Sequence, residues 1–542
     1  MAHDSTAVAP DGERRTDLGR AIIISVATLT SRFLGVFREH LFAKLFGVGP
    51  VADAFQIAYR IPNLLRELVA EGALSFAFVP VFTEYREKRS EAEAHHLAQI
   101  VFTGLFIVVG GVSVLGFVFT GPIVDLISPG FAERGVVDGV DKRQLTIELT
   151  RWMIPFLLLA AWAALCRGIL NTYRRFFLPA LSPALFNLVA VGVGVGLWWS
   201  GSAPIDAVYG WAIAMLCGGA LQFLIQVPAV RALGVSLRWR IDLKNAGFRR
   251  ILWLMTPAVI GLAAVQLNIF INTRLASDAS FGDGPVTMMT YAYRLVYLPI
   301  GVIGVALATV TAVRISRDAA REELERFREG LSTAVRFLLF FTIPSTVGLV
   351  VLAEPIVRLV FGYGRFAEDA QANSETAIAL GLYASALFFY CGVKVLVPAF
   401  YALDRIRVPL FASLTAIAVN LAWSLSTVDS LGWHTLVFGT ALAGLFNFAV
   451  LAVSFHRTVG RLDYREIAIT ALKVAIAVVP MAYTAWGAHG WAESQWGSAT
   501  FWSRIAGTLG PIFVAIGVYF LVARILGLRE AIDTFALRRR RR

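Results

Sequence analysis

Runs of about 20 apolar residues recur from one end of the chain to the other, separated by polar connections. Each run is long enough to cross the hydrocarbon core of a bilayer as an α-helix. Fourteen can be placed, centred near residues 34, 68, 108, 158, 188, 216, 262, 300, 340, 387, 417, 444, 475 and 513. The pattern predicts an all-α integral membrane protein with 14 transmembrane helices. The first twenty residues are polar and end in Arg14, Arg15 and Arg20, and no short apolar core with a small-residue cleavage site follows. The first run therefore reads as an uncleaved span.

An internal repeat organises these spans. Pro122-Ile123-Val124-Asp125-Leu126 returns as Pro355-Ile356-Val357-Arg358-Leu359, Phe131-Ala132-Glu133 as Phe366-Ala367-Glu368, and Ala58-Tyr59-Arg60 as Ala292-Tyr293-Arg294, at offsets of 233, 235 and 234. Three short matches at one spacing mark a duplication. Six spans separate the copies, so both have the same orientation, the mark of a parallel repeat whose substrate is expected between its halves. The expected organisation is two pseudo-symmetric six-helix lobes, residues 21–230 and 231–456, the second with its preceding loop. Two C-terminal helices over 457–527 follow, with polar tails at 1–20 and 528–542.

Composition agrees with a membrane protein: 57% of the 542 residues are hydrophobic and 16% charged, against about 45–50% and 25% in soluble domains. The net charge of +12 is concentrated in the even-numbered connections, which carry Arg86, Lys88 and Arg89; Arg174 and Arg175; Arg231 to Arg250; Arg314 to Arg328; Arg405 and Arg407; and Arg457, Arg461 and Arg465. The odd-numbered connections are nearly free of Lys and Arg, apart from Arg134, Lys142, Arg143 and Arg365. By the positive-inside rule both termini are expected in the cytoplasm. The basic loops and the terminal Arg538 to Arg542 run fit contact with anionic lipid headgroups and not nucleic acid.

Charge within the spans is the informative exception. Arg32, Arg38 and Glu39 fall in the first run, and Asp53, Arg60, Asn63, Arg66, Glu67 and Glu71 in the second. The corresponding helices of the second copy hold Gln266, Asn268, Asn272, Arg274 and Arg294. Intramembrane charge is costly and faces a water-filled cavity or a partner. Seven-residue spacing places Asp53, Arg60 and Glu67 on one stripe and Arg32 and Glu39 on another, while Asn63, Glu67 and Glu71 follow at four-residue steps. These groups either line a cavity or lock the helices together as ion pairs. Surplus guanidinium, at Arg32, Arg66 and Arg294, is what fork-like recognition of phosphate or carboxylate requires, so an anionic substrate is expected.

Other chemistries find little support. The chain has no G-x-x-x-x-G-K-[ST] phosphate loop, so an ion gradient, the membrane potential or product removal would have to supply energy. Cys166, Cys217 and Cys391 lie scattered within apolar runs and read as packing residues. His40, His95, His96, His434, His456 and His489 lack metal-ligand spacing.

The residues resemble a known family. Ser31-Arg32-Phe33-Leu34-Gly35-Val36-Phe37-Arg38, Ala52-Asp53-Ala54-Phe55, Ile61-Pro62-Asn63-Leu64-Leu65-Arg66, Ala70-Glu71-Gly72-Ala73 and Phe78-Val79-Pro80 resemble the amino-terminal signature of the MurJ (MviN) family of lipid II flippases. Pro129-Gly130-Phe131, Leu170-Asn171-Thr172, Gly301 to Leu307, Val393-Lys394-Val395-Leu396 and Phe400-Tyr401 extend the likeness over about 500 residues. The family belongs to the multidrug/oligosaccharidyl-lipid/polysaccharide exporter superfamily, whose two six-helix lobes match the repeat.

The resemblance implies a transporter, not an enzyme, in the bacterial cytoplasmic membrane. It implies a monomer that carries lipid II outward by alternating access in contact with membrane lipids and with cell-wall synthesis and division proteins. The family's cavity arginines match Arg32, Arg38, Arg66 and Arg294, and its helix-two acid matches Asp53; Arg60, Asn63 and Glu71 complete the expected substrate site. The two C-terminal helices are expected to form a groove for the lipid tail, with Ala475, Ala477 and Gly507 on its inner face. Relatives that bind sodium place an acid near Asn272, with polar groups near Asp404 and Asn420; the asparagine here removes that charge. Tyr293 stands where some relatives have an acid, and Arg60 where some have lysine. No other cofactor is implied. The alternatives are an exporter of another polyprenyl-linked saccharide, a drug exporter of the same superfamily, or a membrane glycosyl- or phosphotransferase.

Overall fold

A computed structural model describes residues 11–68, 74–242, 244–498 and 500–532. Its chain is almost wholly helical. The first half runs α1 (Asp11–Phe46), α2 (Pro50–Arg66), α3 (Leu74–Lys88), α4 (Glu91–Val118), α5 (Thr120–Ile127) and α6 (Gly130–Glu133). A two-strand hairpin, Val136–Val137 paired with Val140–Asp141, leads to α7 (Lys142–Met153), α8 (Phe156–Thr172), α9 (Phe177–Ser200), α10 (Pro204–Leu224) and α11 (Val227–Arg231). The second half runs α12 (Ala246–Ala276), α13 (Pro285–Pro299), α14 (Val305–Ala320), α15 (Leu324–Val351), α16 (Ala353–Phe361) and α17 (Arg365–Glu368). It continues through α18 (Ala372–Ala384), α19 (Leu387–Ala402), α20 (Arg407–Leu431), α21 (His434–Thr458), α22 (Tyr464–Trp496) and α23 (Phe501–Ile525).

The repeat is visible in this order. A 28-residue helix, a short helix carrying the Pro-Ile-Val motif and a four-residue turn of helix occur once as α4–α5–α6 and again as α15–α16–α17. In both copies the helix after the first turns π-helical at the same place, at residues 67 and 68 after α2 and at Ile300–Gly304 after α13. Such turns leave backbone groups out of the α-ladder and recur at functional sites.

Among the described residues, eleven helices are long and apolar enough to span a membrane. The other three predicted spans, centred near 34, 68 and 262, fall on α1, the α2–α3 region and α12. Large apolar side chains such as Val310, Phe513 and Leu472 stay exposed, as lipid-facing positions do.

Two compact units divide the chain: residues 11–45, 54–126 and 135–263 build the first, and 46–53, 127–134 and 264–532 the second. In the first, Phe78, Phe82, Leu97, Val101, Leu165, Ile169 and Phe248 form a buried core between α3, α4, α8 and the start of α12. Close packing depends on Gly104, where a Cβ would lie 2.5 Å from the Phe248 ring, and Gly168, where it would lie 2.9 Å from Phe78; small residues let membrane helices approach. In the second, Phe340 of α15 and Leu352, which caps that helix, pack against Val474, Ala477, Val478 and Met481 of α22 and Ala515 and Tyr519 of α23. Ala477 is therefore a core residue and not part of a lipid-facing wall, and Gly507 is also buried, whereas Ala475 is exposed. The α22 helix runs to Trp496, and Trp486, Trp491, Trp496 and Trp502 are exposed near one end of the hairpin, where an interfacial belt is expected.

Candidate functional site

In the first unit, α1 and α2 position the intramembrane charges. Arg38 is buried; its Nη1 donates to Asn187 Oδ1 at 3.1 Å and its Nη2 to Glu39 Oε1 at 2.6 Å. Asn187 Nδ2 returns to the Ser31 carbonyl at 3.0 Å, tying α9 to α1. On α2, Arg66 Nε donates to Asn63 Oδ1 at 3.1 Å, Asn63 Nδ2 donates to Glu67 Oε1 at 2.9 Å, and Arg66 lies 6.0 Å from the Phe156 ring. The four-residue step from Asn63 to Glu67 thus forms the contact its spacing implies. Arg60 is half-buried, and Glu71 lies outside the described residues.

Arg32 differs from both. It is half-buried in α1, and among the described residues its guanidinium has no hydrogen bond or ion pair. A planar group with five donors, held at membrane depth without a protein acceptor, is suited to an anionic ligand.

Asp53 has another job. Its carboxylate is 1% exposed in the second unit. It accepts hydrogen bonds from the Gly284 N–H at 2.8 Å, the Thr287 N–H at 3.1 Å and the Thr287 hydroxyl at 2.6 Å. Gly284 is the N-cap of helix α13 and has no side chain to satisfy the first N–H groups. A carboxylate from elsewhere in the chain supplies that cap and the negative charge that a helix N-terminus favours. The Asp53–Arg60–Glu67 stripe is therefore not a continuous cavity wall here: Asp53 caps α13 and Glu67 is tied to Asn63. Sequence spacing could not reveal this, because the acceptor and its donors are 231 to 234 residues apart.

On α13, Arg294 is exposed, with Tyr293 and Tyr297 beside it. Tyr293 and Tyr383 meet edge to face with centroids 5.3 Å apart, and Tyr293 and Tyr297 lie 6.1 Å apart. Sequence reading singled out Arg294 but gave these rings no role.

The three residues matched to a sodium site do not assemble as a set. Asn420 Nδ2 donates to Asn268 Oδ1 at 2.6 Å and to Asn272 Oδ1 at 2.9 Å, and Asn272 Nδ2 donates to Thr440 Oγ1 at 2.7 Å. Asp404 stands exposed in the turn before α20, with a left-handed φ of 55°. Asn420 lies about 20 Å further along that helix at 1.5 Å per residue. The amide network joins α12 to α20 and α21 without a carboxylate, and its amide oxygens already accept hydrogen bonds, so these residues fit sodium poorly. Among the described residues no three His, Cys, Asp or Glu side chains cluster as metal ligands.

Residues 42–507 match the family model described as lipid II flippase MurJ. A probable lipid II flippase MurJ of Rhizobium meliloti (strain 1021) is 33% identical over 506 residues, 92% of each chain. The lipid II flippase MurJ of Burkholderia cenocepacia is 34% identical over 391 residues, 71% of this chain and 73% of that one. A solved lipid II flippase MurJ in an inward closed conformation superposes with a TM-score of 0.75 at 25% identity, covering 93% of this chain and 98% of that one. An inward-facing MATE family multidrug transporter of the MOP superfamily shares the fold alone, at a TM-score of 0.64 and 16% identity over 83% of this chain and 98% of that one.

Proposed function

The chain belongs to the lipid II flippase MurJ family, and on that premise we propose that Arg32 is the primary acceptor of the lipid II diphosphate. The protein is a multi-pass membrane transporter that moves lipid II, and it is not an enzyme. The observation that carries the site assignment is the half-buried Arg32 guanidinium, which has no hydrogen bond or ion pair among the described residues. A diphosphate supplies the acceptors it lacks, through charge-assisted bonds of about 1.5–3 kcal/mol each.

Arg66, on α2 of the same unit, adds positive charge for the headgroup, and Arg38, held by Glu39 and Asn187, keeps α1 in register with α9. The polyprenyl tail stays in lipid, since each methylene withdrawn from apolar surroundings costs about 0.8 kcal/mol. Both termini face the cytoplasm of a bacterial inner membrane, and lipid II travels from the cytoplasmic to the outer leaflet by alternating access. Direction comes from differential affinity of the two states, set by the membrane potential or by removal of product. A cation exporter is disfavoured because Glu39, Asp53 and Glu67 are engaged within the protein.

The test is lipid II binding by the purified chain. Arg32→Ala is expected to weaken it about ten- to a hundred-fold, as loss of one or more charge-assisted bonds requires. Unchanged binding would remove Arg32 from the site.

A further inference from the structure

We propose that Tyr293 and Tyr297, backed by the buried Tyr383 ring and beside Arg294, form a platform that recognises the saccharide of the lipid-linked headgroup. The proposal rests on the flippase reading and adds a second subsite to it. Tyr293, Arg294 and Tyr297 share one arc of α13, since a step of four residues returns to nearly the same face and a step of one turns it by about 100°. The opposite face of the helix, with Met288, Ala292, Leu295 and Val296, is buried. Tyr293 and Tyr297 are 40% and 49% exposed, and Arg294 is exposed between them. An exposed guanidinium at this depth faces water and not lipid, so the arc it shares with the two rings is wet. Tyrosine suits that setting, offering an apolar ring face and a polar tip.

Two further observations point to a ligand. The Tyr390 hydroxyl on α19 is buried and has no hydrogen-bond partner among the described residues, and its electrostatic neighbours are Tyr293 and Tyr383. A buried phenol left in that state is what a hydroxyl or amide substituent of a sugar would satisfy. The repeat supplies the contrast. Tyr59, the first-copy equivalent of Tyr293, stacks on Phe55 at 5.9 Å and lies 6.3 Å from Phe156, so its ring is used inside the protein. The second copy turns the same residue type outward. Sugar rings present apolar C–H faces that pack on the electron-rich face of an aromatic ring, and the adjacent Arg294 can hold the diphosphate to which the first sugar is joined.

The experiment compares binding of lipid II and of undecaprenyl diphosphate, which has the same diphosphate and tail without sugars, to the full-length chain. Wild type is expected to prefer lipid II. Tyr293→Ala and Tyr297→Ala are each expected to weaken lipid II binding about three- to ten-fold, the range an aromatic stack contributes, and to leave undecaprenyl diphosphate binding unchanged. Tyr293→Phe and Tyr297→Phe keep the ring and should stay within about two-fold of wild type. Equal loss of both ligands in the alanine variants, or no wild-type preference for lipid II, overturns the platform while leaving the diphosphate site intact. Failure of the wild-type chain to bind either ligand overturns both.

Discussion

The Asp53 carboxylate accepts both the backbone N–H and the hydroxyl of Thr287, the residue 234 positions later, which is its own counterpart in the repeat. One position has thus diverged into a donor and an acceptor that bond to each other. Asp53→Ala leaves the first N–H groups of α13 buried and unmatched, and is expected to destabilise the protein by on the order of 2 kcal/mol. Asp53→Asn, which keeps one acceptor oxygen, should cost less. Thermal unfolding of the purified variants measures this. Full stability of Asp53→Ala combined with lost lipid II binding would instead make the acid a ligand contact.

The amide network gives a prediction about coupling. Asn268, Asn272 and Asn420 supply no negative charge, and their hydrogen bonds are to one another, to Thr440 and to Ser424. Replacing sodium by choline at constant ionic strength should leave lipid II movement within about two-fold, a change of under half a kcal/mol. A strict requirement for sodium would show that an ion enters this network or binds elsewhere.

A pH dependence follows from Asp125 and Arg143, which join α5 to the start of α7 through paired bonds of 2.6 and 2.8 Å. The Arg143 hydrogen bond and charge hold the Asp125 carboxyl below its ordinary range. A carboxyl depressed in the folded state contributes stability above its unfolded value near 4, and loses that contribution as pH falls through the lower folded value. Both groups are more than a third exposed, so the contribution is below about 1 kcal/mol. Arg143→Ala should therefore unfold at a slightly lower temperature than wild type at pH 7, with the gap closing towards about pH 3. A gap that widened on acidification would contradict the sign.

The sequence carried the helical membrane architecture because apolar run length and the repeat offset are both one-dimensional signals. Helices α4 and α15, with the short helices after them, fall where the Pro-Ile-Val motifs place them. Local spacing also carried the Asn63–Glu67 contact. Long-range partners were hidden. Nothing near Asp53 in the chain announces the bare N-terminus at Gly284, and Asp404 looks as suited to an ion as Asn420 until one is seen in an exposed turn and the other deep in α20. Facing was hidden too: Ala475 and Ala477 are two residues apart, yet one is exposed and the other packs in the α15–α22–α23 core. Tyr59 and Tyr293 are identical by repeat position and differ only in what the surrounding helices leave open.

The most direct test of the account is transbilayer movement of lipid II in proteoliposomes holding wild type, Arg32→Ala or Arg32→Lys at matched, correctly folded levels. Wild type is predicted to move lipid II, Arg32→Ala to fall to the protein-free background, and Arg32→Lys to recover only part of the rate, because a point charge does not reproduce the planar fork. Movement by Arg32→Ala at the wild-type rate would contradict the central claim that this guanidinium receives the diphosphate.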